Sequence, residues 1–188
     1  MHRWFGWDEA SWPAVRYEAW THDDRTEALY VGPQRRAPVL PLIGVRPGDL
    51  FHNRFESRFD PVRTVYTSHW TTPDERERRP IEARTVVFMV PETERTTRFP
   101  TFVFVRVSDR SLFHRLRPII RVVARAFVMA EWWMDARWVA HMADVAKDLD
   151  GLRLGKFDKT VIRNRKLLRT LYFGEDKAPL PGEARPSN

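Results

Sequence analysis

Apolar side chains recur along residues 111–149 with the period of a helix. Leu116, Ile120, Val123, Phe127, Met134, Trp138, Met142, Val145 and Leu149 are spaced by three, four or seven, which gathers them on one side. Pro118 predicts a kink or a fresh helix start in the first part of this stretch. Ser108, Asp109 and Ser111 are candidate N-caps. The part after Pro118 would run on the order of 45 Å. An apolar face of that length has to lie across another element, and the preceding residues predict a curved antiparallel sheet.

There the period drops to two. Phe51, Asn53, Phe55, Ser57 and Phe59 alternate with His52, Arg54, Glu56 and Arg58, as in a half-buried strand with its charged face outward. Asp60-Pro61 makes a turn into a second strand over 62–70, rich in Thr, Val, Tyr and Trp. A charged loop follows at 71–80, then strands at 82–90 and 98–107 joined by the turn 91–95. Shorter strands are expected at 27–31 and 39–45, where Pro33, Pro38 and Pro41 make them edge-like or irregular. Residues 1–26 carry Trp4, Trp7, Trp12 and Trp20 without clean periodicity and read as a Trp-rich N-terminal extension. Gly151 and Gly155 break the chain before a last helix over 160–173, and 175–188 read as a disordered tail. Consecutive antiparallel strands followed by a long helix predict an α+β domain over 27–174. A twisted sheet wrapped around such a helix leaves an apolar cavity of the kind that takes hydrophobic ligands.

Composition narrows the chemistry. The 188 residues are 43% hydrophobic and 13% aromatic, as in a folded chain. Cysteine is absent, which excludes disulfides, thiolate zinc sites, a catalytic cysteine and thiolate-held iron–sulfur clusters within this chain. The net charge of +7 and pI near 10.2 permit nucleic acid, an anionic membrane surface or an acidic protein as partner. The charges are mixed, as in Glu75-Arg76-Glu77-Arg78-Arg79, which favours a solvated surface over nucleic-acid binding. The first residues lack the order of a signal peptide, and no apolar run approaches the roughly 20 residues of a membrane span. A soluble cytoplasmic protein is the expectation.

The sequence has no phosphate-binding glycine loop, dinucleotide fingerprint, nucleophile elbow or zinc-protease histidine pair. One local constellation remains. His141, Asp144 and Asp148 fall at i, i+3 and i+7 and share one side of the long helix. Imidazole and carboxylate at that spacing can reach one iron or zinc ion. An ordinary polar helix edge that includes Arg137 has the same pattern, and the residues alone favour it. His52 reads as solvated, His69 as facing either side of its strand, and the Trp132-Trp133 pair as packing. The basic side of the last helix, with Arg163, Arg165, Lys166 and Arg169, reads as solvated or as a dock for an acidic partner.

The order of pieces resembles a known family. The stretches RFESRFDPVRTVYTSHWTTPDERERRP, EARTVVFMVPETERTTRF with PTFVFVRVS, the helix ending HMADVAKDLDGL, and FDKTVIRNRKLL carry the likeness. Together they look like the C-terminal catalytic domain of Rieske-type ring-hydroxylating oxygenase large subunits. That resemblance implies a helix-grip (START-like) fold, a twisted antiparallel sheet around a long C-terminal helix. It implies one non-haem Fe(II) held by two His and one carboxylate, with Asp144 as the matching carboxylate and Asp148 as second choice. A separate cluster domain would supply electrons, and apolar substrates would be hydroxylated, demethylated or desaturated. The chain departs from the pattern in two places. Without Cys it holds no iron–sulfur cluster, and the paired His motif before the strands is missing. Three readings follow. The chain is a truncated or partner-dependent oxygenase part, docked by a redox protein or a Rieske-bearing subunit. Or it is a stand-alone domain binding a hydrophobic small molecule without redox chemistry. Or it is an assembly module that forms a homo-oligomer.

Overall fold

Antiparallel strands that follow one another along the chain build a single meander. The computed structural model describes residues 12–34, 40–93, 96–108, 115–141, 159–172 and 174. Six antiparallel strands form the main sheet: β1 (Arg16–Thr21), β2 (Arg25–Pro33), β3 (Leu50–Phe59), β4 (Val62–Thr71), β5 (Arg78–Phe88) and, after a small hairpin, β8 (Thr101–Val107). The hairpin pairs β6 (Val90–Pro91) with β7 (Thr97–Arg98). Each main strand pairs with the one before it, in the order β1-β2-β3-β4-β5-β8. The turn at Asp60-Pro61, whose peptide bond is cis, pairs Phe59 with Val62. Every other pair along β3 and β4 follows from that one, including Phe55 with Tyr66 and His52 with His69.

Register sorts the side chains by face. Tyr17, Tyr30, Phe51, Phe55, Tyr66, Trp70, Ile81 and Val107 share one face. Arg16, Glu18, Glu27, His52, Arg54, Glu56, Arg58 and His69 share the other. The first face carries the core, where Leu40, Val45, Phe51, Trp70, Ile81 and Val107 pack with Ile120. Ile120 comes from α1 (Arg117–His141), whose 25 residues contain no Gly and rise about 38 Å. α1 packs along β8, the end strand of the sheet. A second helix, α2 (Lys159–Leu167), passes into a π turn at Leu168–Tyr172. It packs on β1 and β2 through the same face, where Thr26 Oγ1 donates to Asn164 Oδ1 and Leu167 is buried. Sheet and helices together make an α+β fold.

Several sequence expectations shift. Residues 39–45 form no strand in their described part. Leu40–Ile43 is a 3₁₀ turn, closed by bonds from Gly44 N to Pro41 O (3.1 Å) and Val45 N to Leu40 O (3.0 Å). Pro41 has no N–H for a ladder, and Gly44 takes a φ of 81° that closes the turn. The sheet begins at Arg16, inside the stretch read as an N-terminal extension. Pro118 is the second residue of α1, so the helix starts afresh there, where its missing N–H costs no hydrogen bond. Residues 109–114 and 142–158, and the tail 175–188, lie outside the described residues.

Candidate functional site

Antiparallel register brings four aromatic rings into one row across β1 to β4. Tyr17 and Tyr30 have ring centroids 4.8 Å apart, Tyr30 and Phe55 5.2 Å, and Phe55 and Tyr66 4.7 Å, the last two edge to face. All four rings are half-buried. Polar groups lie beside them: Ser68 Oγ donates to Asn53 Oδ1 at 3.1 Å, and the Ser57 and Thr64 hydroxyls bond at 3.3 Å. α2 stands over one end of this face, and α1 lies along β8 at the other. The turn Leu168–Tyr172 reaches β3, and Phe51, Trp70 and Ile81 of the core lie on the same face of β3 to β5 as the aromatic row. A half-buried aromatic row with a few hydroxyl and amide groups beside it suits an apolar molecule with one or two polar substituents.

The opposite face holds a histidine pair. His52 and His69 stack with centroids 4.6 Å apart and planes 13° from parallel. His52 Nε2 bonds Thr71 Oγ1 at 2.9 Å, and His69 Nδ1 is buried without a hydrogen-bond partner. Burial lowers the pKa of His52; Arg16 and Arg78 act in the same direction, and Glu75 opposes them. Burial, Arg78 and His52 together bring His69 down to about 4. His52, expected to be solvated, is only 7% exposed. Its charged neighbours along β3 made the strand face look open, but flanking side chains such as Thr71 close over the ring. His69 lies on the face opposite the aromatic row.

The metal candidates stand as follows. His141 is the last residue of α1, and its side chain lies outside the described set, as do Asp144 and Asp148 entirely. Among the described residues, no three His, Asp or Glu side chains form a group that could hold a metal ion. His52 and His69 lie on the face of the sheet opposite the one α1 packs against.

Three further features depart from the sequence reading or were invisible to it. Trp133 is exposed rather than packed, with the Arg137 guanidinium 4.8 Å from its ring centre. Arg163, expected in solvent, is half-buried and donates to His22 O at 2.9 Å, fastening α2 to the β1–β2 turn. Asp49 is buried and accepts two bonds from Arg79, at 2.7 and 2.5 Å. No local pattern announces that last pair, because its partners are 30 residues apart.

Among the described residues no helix is long and apolar enough to cross a membrane. No protein-family model, curated protein or solved structure matches the chain.

Proposed function

We propose that this chain is a helix-grip domain of Rieske-type oxygenase ancestry that binds a flat apolar or aromatic molecule on the aromatic face of its sheet. Any oxidation of that molecule depends on parts that these 188 residues do not carry. The observation that carries the reading is the row Tyr17–Tyr30–Phe55–Tyr66, lying on the face against which both helices pack. The rings offer edge and face contacts and dispersion to an aromatic ligand, and Asn53 and Ser68 offer hydrogen bonds to its substituents. Electrons have to come from outside, since a chain without Cys holds no Rieske cluster. If iron binds, it would supply oxygen activation, and Asp144, Asp148 and His141 are the candidates for holding it.

Two measurements test this. Titration with naphthalene or biphenyl, followed by calorimetry, should show saturable binding that Phe55→Ala and Tyr66→Ala weaken by about tenfold each, the loss of one stacking contact. Equal affinity in wild type and both variants would remove the aromatic row from the function. Anaerobic loading with ferrous ion then separates the oxygenase reading from a stand-alone binder. Stoichiometric iron that Asp144→Ala abolishes supports the first, and ligand binding without iron leaves the second.

A further inference from the structure

The side of α1 away from the core is apolar. Ile119, Val122, Ala126, Met129 and Trp133 follow i, i+3, i+7, i+10 and i+14, which sets them in one line along the helix. All five are exposed, Val122 by 70% and Trp133 by 61%. Beside Met129, a groove of about 820 Å³ between α1 and β8 continues this surface to Phe102 and Phe104, which are exposed as well. Monomers in water rarely leave so continuous an apolar surface open.

The rim of this surface is arginine. Arg121 and Arg125 line the apolar groove. Arg78, Arg106, Arg117 and Arg121 line an adjoining groove of about 930 Å³. Among the described residues, Glu82 is the one acidic side chain lining either groove, and it accepts a bond from Arg78 at 3.2 Å. A second copy of the chain would bring the same arginines against its own, in a molecule already carrying +7. An anionic bilayer surface complements both features, with phosphates for the guanidinium groups and an acyl layer a few ångströms deeper for the apolar line. We propose that α1 and the adjacent edge strand β8 dock this protein on an anionic membrane surface. α1 lies in the plane of the interface: Ile119, Val122, Met129 and Trp133 enter the headgroup–acyl boundary, and Arg121 and Arg125 bind lipid phosphates. Arg137 over the Trp133 ring anchors the far end of the line at headgroup level.

The test is cosedimentation of the full chain with vesicles of phosphatidylcholine alone and of phosphatidylcholine with phosphatidylserine. Binding should require the anionic lipid and weaken with salt. Arg121→Gln and Arg125→Gln should each lower the partition coefficient about fivefold, and together roughly 30-fold. The pair Val122→Gln and Trp133→Gln, both at exposed positions and thus compatible with folding, should abolish binding while leaving the circular dichroism spectrum unchanged. Three outcomes overturn the proposal. One is no binding to anionic vesicles. Another is unchanged binding by the Val122/Trp133 variant, which would mean charge adsorption alone. The third is a concentration-dependent dimer that this variant disrupts, without vesicle binding, which would give the surface to a second copy.

Discussion

Removing Asp49 should be among the most costly single changes in the described fold. Its carboxylate is 1% exposed and accepts three hydrogen bonds: Arg79 Nε at 2.7 Å, Arg79 Nη2 at 2.5 Å and Arg46 N at 2.6 Å. Its backbone carbonyl accepts from Gln34 N at 2.8 Å. One residue thus ties the end of β2, the loop before β3 and the start of β5. The hydrogen bond to Asp49 raises the Arg79 pKa, so the cation is present at every practical pH. Asp49→Ala leaves that guanidinium, with its side chain 12% exposed, short of its partner. Breaking a buried pair from one side costs about 3–5 kcal/mol. The orphaned Arg46 N–H adds about 1 kcal/mol. In a chain of this size each kcal/mol lowers Tm by about 2–4 °C, so a drop of roughly 8–24 °C is expected. Urea unfolding followed by circular dichroism gives the free energy directly. Arg79→Ala should cost a comparable amount, because it strands the carboxylate instead. The double variant buries neither charge and should cost less than the sum by about 1–3 kcal/mol. A loss below about 1 kcal/mol for Asp49→Ala, or strict additivity, would refute the reasoning.

Other expectations follow from single sites. His69 is held at about 4 against an ordinary 6.5, and His52 is lowered in the same direction, so both imidazoles are neutral in the folded chain at pH 7. Between pH 6.5 and 4 the unfolded chain takes up protons that the folded chain refuses, so stability is full above that window and falls as pH drops through it. The His69 gap sets a ceiling of about 3 kcal/mol, of which roughly half survives screening of a half-buried ring. His69→Gln should flatten the stability profile between pH 6.5 and 4 relative to wild type, and parallel profiles would reject the assignment. Trp70, buried against Phe51 at 5.2 Å and donating Nε1–H to Gln34 at 2.6 Å, should cost about 3–5 kcal/mol as Trp70→Ala in equilibrium unfolding. Gly44→Ala, at a φ of 81°, should cost about 1–2 kcal/mol; a neutral result would mean that the turn relaxes.

How much of the candidate site could be read in the chain differs from residue to residue. The pairing of Phe55 with Tyr66 was within reach, because the tight connection at Asp60-Pro61 sets one register for the whole hairpin. The same count pairs His52 with His69, yet their burial was not legible, since it depends on Thr71 beside them and on which way the sheet turns its faces. β1 was hidden because Trp20 shares a face with Arg16 and Glu18, which blurs the alternation of Tyr17 and Ala19. Its aromatic Tyr17 joins the row only by pairing with Tyr30.

By itself the sequence determined the period of two along β3, the extended character of β4, β5 and β8, and the helical period from Pro118 to His141. It also determined the exclusion of cysteine chemistry. These are local properties, fixed by backbone geometry and by the atoms a residue carries. Tertiary structure alone decided which face of the sheet receives the helices. It decided that Asp49 and Arg79 meet, and that the outer line of α1 stays uncovered. Those outcomes depend on contacts between segments far apart in the chain. The energy that selects them, burial and charge pairing, exists only once the sheet has brought the segments together.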